Sequence, residues 1–187
     1  MPDYRRYYVE GGTNFFTVVT AYREPIFLNS TARELLGQMM REQREKMPFE
    51  TVAIILLPEH LHAIWTLPRG DDKYSQRWQA IKARFTSAWL ETSSNETAVS
   101  RGYKAQRRRG VWQARFIEHT IRDQDDLHAH ADYLHYNPVK HQLTRCPKDW
   151  PWSSFHRFVE LGHYEPDWGC ADRDPPKFGG VDEDLLE

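Results

Sequence analysis

The chain has 187 residues, with 40% apolar and 13% aromatic content and 25 Lys and Arg against 27 Asp and Glu, a net charge of −2. That is the length of one domain with material enough for a core. No apolar run reaches the roughly 18–20 residues of a bilayer span, the start Met1-Pro2-Asp3-Tyr4 lacks the apolar stretch of a signal peptide, and Cys146 and Cys170 show neither zinc spacing nor the number for a disulfide scaffold.

In chain order, Gly11-Gly12 followed by NFFTVVT predicts a strand over 14–20. Asn29, Ser30 or Thr31 can cap a helix to about Lys46, with Leu35, Leu36, Met39 and Met40 at helical spacing and Met47-Pro48 ending it. Residues 49–57 are almost continuously apolar, the mark of a buried strand. Pro58-Glu59 turns the chain, and 60–67 reads as the hairpin partner. Trp78, Ile81, Phe85 and Trp89 line one stripe of a helix over 75–90, with Arg77, Lys82 and Arg84 outside it. Residues 91–110 are polar and read as a mobile excursion, and 111–120 alternates as a strand. A helix follows from Asp123 to about His141, its acids Asp123, Asp125 and Asp126 suiting the positive N-terminal end; Pro138 suggests an end or kink just past Asn137. Residues 150–161 are amphipathic, and beyond Gly162 the chain turns Pro-, Gly- and acid-rich, as a docked arm or a disordered tail would.

The order β-α-β-β-α-β plus a further helix is the ferredoxin-like pattern, an α+β fold with an antiparallel sheet. Charge divides the chain unevenly. Residues 165–187 hold eight acids and two bases, a net of −6, so residues 1–164 carry a net of +4. Within that body Arg101, Lys104, Arg107, Arg108, Arg109 and Arg115 occur without an acid between them. Such a run is either a solvated loop or a polyanion-binding patch.

His60 and His62 flank Leu61 in a predicted strand, so both imidazoles face one way. Two neutral imidazoles at that spacing can hold one divalent cation, or they are two half-buried histidines at a strand edge. Tyr133 and Asn137 lie four apart on a predicted helix and share a face. An amide oxygen is a hard-metal ligand, and the phenol lies one turn away; packing is the plainer alternative for the tyrosine. His130 is read as a surface residue beside Tyr133, and the other histidines show no ligand spacing. Together, two histidines and an asparagine around a cation can polarise a phosphodiester. A tyrosine oxygen can then attack phosphorus, conserving the bond as a phosphotyrosine that a free 3′-OH later resolves.

The segments YRRYYVEGGTNFFTV (4–18), LLPEHLHAIWTLP (56–68), RRRGVWQARFIEHTIRD (107–123), DYLHYNPVKHQL (132–143) and DWPWSSFHRFV (149–159) resemble, in order, those of REP-associated tyrosine transposases, a domesticated branch of the single-tyrosine HUH transposases. The resemblance implies the ferredoxin-like HUH nuclease fold, with the nucleophile-bearing helix and a C-terminal extension added to the sheet and its helices. It implies His60, His62 and Asn137 as ligands of Mg²⁺ or Mn²⁺ and Tyr133 as nucleophile. The implied substrate is single-stranded DNA containing REP hairpins, cut beside a guide tetranucleotide to leave a 5′-phosphotyrosine. The family block usually closes with Gly where this chain has Gln142.

Single-strand binders combine basic grooves with aromatic platforms, which nominates Arg107, Arg108, Arg109, Arg115 and Trp112 as DNA-binding, with Arg5 and Arg6 beside them; Trp65, Trp78 and Trp89 read as core. The expected organisation is a nuclease domain over 1–162 and an acidic tail over 163–187. That tail either folds over the basic site and competes with DNA or is a solubilising end. With one nucleophilic tyrosine, a cytoplasmic, nucleoid-associated monomer is expected. Two other functions fit the same residues: a non-catalytic nucleic-acid-binding regulator, and a metal-dependent hydrolase that activates water and leaves no covalent adduct.

Overall fold

The computed structural model describes residues 8–92 and 110–186. In chain order it contains β1 (Thr13–Val19), α1 (Ser30–Lys46), β2 (Glu50–Leu56), β3 (His60–Thr66), α2 (Tyr74–Thr92), β4 (Ile117–Thr120), α3 (Gln124–Lys140), α4 (Phe155–Glu160) and α5 (Glu183–Leu186). The strands pair antiparallel in the order β2-β3-β1-β4, the ferredoxin-like arrangement. Among the described residues no helix is long and apolar enough to cross a membrane.

Alternation along the strands gives the sheet two apolar faces. Phe16, Val18, Leu61, Ala63 and Trp65 point to one, where α1 and α2 cover them with Leu36, Met39, Trp78, Ile81 and Phe85. Trp65 and Trp78 stack at 4.1 Å, the core role expected of both. Phe15, Ala53, Ile55 and Ile64 point to the other face and meet Ala131, Tyr133 and Leu134 of α3. The sheet is thus buried on both sides, and α3 holds its place by packing rather than by pairing.

Helix starts follow local chemistry. Asn29 caps α1, its side-chain oxygen accepting from Thr31 N at 2.8 Å and Ala32 N at 3.4 Å, and Asp123 caps α3 by accepting from Asp126 N at 2.9 Å. Each such cap stabilises by about 1 kcal/mol. Arg77, expected outside the apolar stripe of α2, is fully buried. Its guanidinium donates to both Asp71 carboxylate oxygens (2.9 and 2.7 Å) and to the carbonyls of Met47 and Pro48, so it locks the end of α1 to the start of α2.

Three local expectations need correction. The strand expected over 111–120 is reduced to β4, and Trp112 makes only an isolated bridge to Thr20. The helix expected from Asp123 to about His141 does run from Gln124 to Lys140, with Pro138 inside it. The Pro138 carbonyl then accepts from Leu143 N and Thr144 N, and Gln142 takes φ 57°, the left-handed position glycine favours at a helix end. Of the amphipathic segment 150–161, only Phe155–Glu160 is helical. Finally, Cys146 and Cys170, not expected as a pair, form a disulfide that ties the chain after α3 to the start of the acidic tail. The expected excursion over 91–110 lies mostly outside the described residues.

Candidate active site

His60 and His62 stand at i and i+2 on β3, with their ring centroids 4.8 Å apart and almost no exposure. Each ring is held by its Nδ1. His60 Nδ1 donates to Glu59 Oε1 at 2.8 Å, because a carboxylate only accepts, and His62 Nδ1 lies 2.9 Å from Thr17 Oγ1. Both Nε2 atoms are buried and, among the described residues, have no hydrogen-bond partner. Burial pushes the His62 imidazole well below its ordinary range, and the neighbouring His60 adds to this, while the Asn137 carboxamide opposes it. A neutral imidazole is the form that binds a metal.

The remaining members come from α3. Tyr133 and Asn137 lie one turn apart, both fully buried. The Asn137 amide nitrogen donates to the Tyr133 carbonyl at 2.8 Å, and its oxygen accepts from His141 Nε2 at 3.1 Å. The amide is therefore clamped at both ends. The Tyr133 ring lies 5.4 Å from the His62 ring, and the His141 ring 5.5 Å from the His60 ring. Helix and strand thus bring together all four residues expected from the sequence. Two buried imidazole nitrogens without partners, next to a fixed carboxamide, are a donor set suited to a divalent cation.

Four contributors were not expected. Thr17 holds His62 only because β1 and β3 pair in a register that sets Thr17 opposite it, which no local pattern encodes. Glu59 precedes His60 directly and could have been noticed as a carboxylate orienting an imidazole. His141 follows Asn137 by four residues, one helical turn, and that spacing was the available signal. Lys140 carries its ammonium 4.9 Å from the Tyr133 ring centroid.

The acidic tail is a docked arm. Phe178 meets the Tyr133 ring edge-on at 5.6 Å, Leu186 is buried in the cluster that contains Phe15 and Tyr133, and Glu183 pairs with Lys140 at 2.7 Å. Tyr133 is left with 0% exposure.

A second group of ligating side chains, His119, Asp126 and His130, has candidate ligand atoms within 4.8 Å of one another. The Asp126 carboxylate is already committed to His119 Nε2 and to the Arg122 backbone and guanidinium, which holds it well below the usual carboxylate range. His130, expected at the surface, is 2% exposed, donates through Nδ1 to the Asp126 carbonyl and stacks on His119 at 4.3 Å. The cluster reads as a clamp between β4 and α3.

The expected DNA-binding set divides. Arg115 is exposed. Trp112 is 7% exposed and packs against Phe27 and Phe85, so its ring is part of the core and not a platform open to bases. Arg5, Arg6, Arg107, Arg108 and Arg109 lie outside the described residues.

No family model matches the chain. It is 44% identical over 168 residues to a REP-associated tyrosine transposase of Escherichia coli, covering 90% of this chain and 91% of the relative. It is 41% identical over 169 residues to a Haemophilus influenzae protein described in the same family terms, covering 90% and 94%. Among solved structures it is similar to a REP-associated tyrosine transposase bound to a REP hairpin, with a TM-score of 0.75 and 40% identity over 96% of each chain.

Proposed function

The chain belongs to the REP-associated tyrosine transposases, and on that premise we propose that it is a metal-dependent endonuclease and strand-transferase of single-stranded DNA that works through Tyr133. The observation that carries this is the Tyr133 ring 5.4 Å from His62, beside two buried imidazole nitrogens that lack hydrogen-bond partners among the described residues. His60, His62 and Asn137 would hold Mg²⁺ or Mn²⁺. Such a cation supplies Lewis acidity, neutralising charge on a phosphate oxygen.

The chain's own residues do the rest. The Tyr133 oxygen attacks phosphorus, the bond to the 3′ oxygen breaks to leave a 3′-OH, and a 5′-phosphotyrosine forms. A later 3′-OH reverses the step and returns the phenol. The Lys140 ammonium, 4.9 Å from the Tyr133 ring centroid, brings a positive charge beside the nucleophile's ring. Asn137, gripped between the Tyr133 carbonyl and His141, holds its carboxamide in one orientation for the cation. REP hairpin DNA, the ligand of the structurally similar transposase, is the proposed partner, with Arg115 and the basic run before it on phosphates. One nucleophile per chain suits a monomer. Residues 1–162 form the catalytic body in this reading. Residues 163–187 form a tail that must withdraw before a phosphodiester can reach a fully buried phenol.

The test is to incubate the protein with a hairpin-bearing single-stranded oligonucleotide and Mn²⁺ and look for an adduct that survives denaturation. Wild type should give it, and Tyr133→Phe should bind DNA without forming it. Cleavage with no adduct would replace this reading by a water-activating hydrolase, and binding with no cleavage by a non-catalytic regulator.

A further inference from the structure

Thr17 stands between the histidine pair and the tail. It faces His62 across the β1–β3 ladder, and both side chains are fully buried. Its Oγ1 lies 2.9 Å from His62 Nδ1 and 2.9 Å from the backbone carbonyl of Leu186, to which it donates. A threonine hydroxyl has one proton to give, and a carbonyl can only accept. With that proton directed at Leu186, the hydroxyl can only accept from the imidazole, so the hydrogen between Thr17 and His62 belongs to Nδ1. A neutral imidazole protonated on Nδ1 bears a lone pair on Nε2, and His62 Nε2 is one of the two unpartnered buried nitrogens of the site.

We infer that the docked tail, acting through the Leu186 carbonyl and the Thr17 hydroxyl, sets the His62 tautomer that a divalent cation requires, so that tail docking and cation binding support each other. This rests on the reading of His60, His62 and Asn137 as the metal site. The arrangement is particular to His62. His60 has its tautomer set by Glu59, the residue next to it in the chain, whatever the tail does. When the tail leaves, water replaces the Leu186 carbonyl, and water can donate as well as accept. Thr17 is then free to give its proton to His62 Nδ1, which moves the imidazole hydrogen to Nε2 and spoils the ligand. Coupling between two binding events is reciprocal, so the cation should in turn hold the tail down. Thr17 is thus a positioning residue, and the tail that covers the nucleophile also keeps the metal site ready.

The experiment uses the full chain throughout. Nitrogen-15 spectra of the histidine rings without metal report the His62 tautomer, and titration with Mn²⁺ followed by electron paramagnetic resonance reports affinity. Wild type should show the Nδ1–H form alone. Leu186→Asp, which places a charge where an apolar side chain is buried, should show both tautomers and bind Mn²⁺ several-fold more weakly. Thr17→Val should lose roughly 10–100-fold in Mn²⁺ affinity, the usual cost of removing a group that orients a ligand, and Thr17→Ser should restore it. An Nε2–H tautomer in wild type would overturn the inference, as would unchanged tautomer and affinity in Leu186→Asp. A wild-type chain that binds no Mn²⁺ while keeping the Nδ1–H form would instead sink the metal-site reading beneath it.

Discussion

Loosening the tail should accelerate DNA cleavage, and the structure says which side chain to truncate. Leu186 is 4% exposed and joins the cluster of Phe15, Ile64 and Tyr133. Removing a buried leucine side chain beyond Cβ costs about 2–5 kcal/mol, and a chain end that can collapse around the gap belongs near the lower bound. At 1.36 kcal/mol per tenfold, about 2 kcal/mol multiplies the undocked fraction roughly 30-fold. Only undocked chains expose Tyr133, so Leu186→Ala should raise the initial rate of adduct formation by about that factor while most chains are docked. The Glu183–Lys140 pair gives the contrast. Both side chains are partly solvated, 42% and 26% exposed, and such pairs contribute about 0–1 kcal/mol. Glu183→Gln should therefore change the rate by less than about fivefold. The assay is single-turnover adduct formation at saturating oligonucleotide and saturating Mn²⁺, with Leu161→Ala, an exposed site, as control. Equal rates for Leu186→Ala and wild type, both folded by thermal melt, would refute the claim that the tail gates Tyr133. A larger effect from Glu183→Gln would mean that charge rather than apolar packing holds it.

Stability should fall as the solution is acidified from pH 6.5 to 4.5. Burial pushes His135 down to about 3 and lowers His62 and His130 as well, so the unfolded chain binds protons that the folded chain refuses. The loss should reach about 1.4 kcal/mol per pH unit for each fully shifted histidine, and His135→Gln should flatten it. A denaturation midpoint constant over that range would contradict this, because the lowered carboxylates Glu59 and Asp71 lose their contribution only below it. Asp71→Ala should cost roughly 3–5 kcal/mol by stranding the buried Arg77 charge, read as a fall in Tm of about 6–20 °C. Neutralising Arg107, Arg108 and Arg109 together should weaken binding of a single-stranded oligonucleotide and flatten the slope of log affinity against log salt by about 0.7 for each phosphate that is no longer neutralised.

What could be read from the chain alone had a short period. His60 and His62 at period two and Tyr133 and Asn137 at one helical turn each declare a shared face, and the β-α-β-β-α-β order constrains the sheet. What escaped depends on how distant segments meet. Arg77 lies outside the apolar stripe of α2 and looks solvent-facing until Asp71, Met47 and Pro48 close around it. Trp112 neighbours basic residues in sequence but is drawn into the core by Phe27 and Phe85. The tail was marked by its charge, yet its hold on the site is chiefly apolar, through Phe178, Val181 and Leu186; composition indicated a polyelectrolyte and hid three anchors.

The site's assembly depends on two independent registers agreeing. A slip of one residue in the β1–β3 ladder would send His60 and His62 to the face covered by α1 and α2 and put Val18 or Phe16 where Thr17 meets His62. A shift of α3 by one residue would turn Tyr133 and Asn137 by about 100° away from the sheet. Each register is held by groups that take no part in chemistry. The ladder is held by the apolar alternation of β1 and β3, and the helix phase by the Asp123 cap at one end and the His119–Asp126–His130 clamp near it. That clamp spans β4 and the first turns of α3, so it fixes the helix against the sheet two turns before Asn137. His119 lies opposite Phe15 in the β1–β4 pairing, and the Phe15 ring touches the rings of His62, His130 and Tyr133. Phe15 is therefore the wedge through which the clamp's position reaches the histidine pair. A side chain that merely fills space at residue 15 keeps the core apolar without keeping strand and helix in phase, so Phe15→Leu should preserve folding better than it preserves adduct formation.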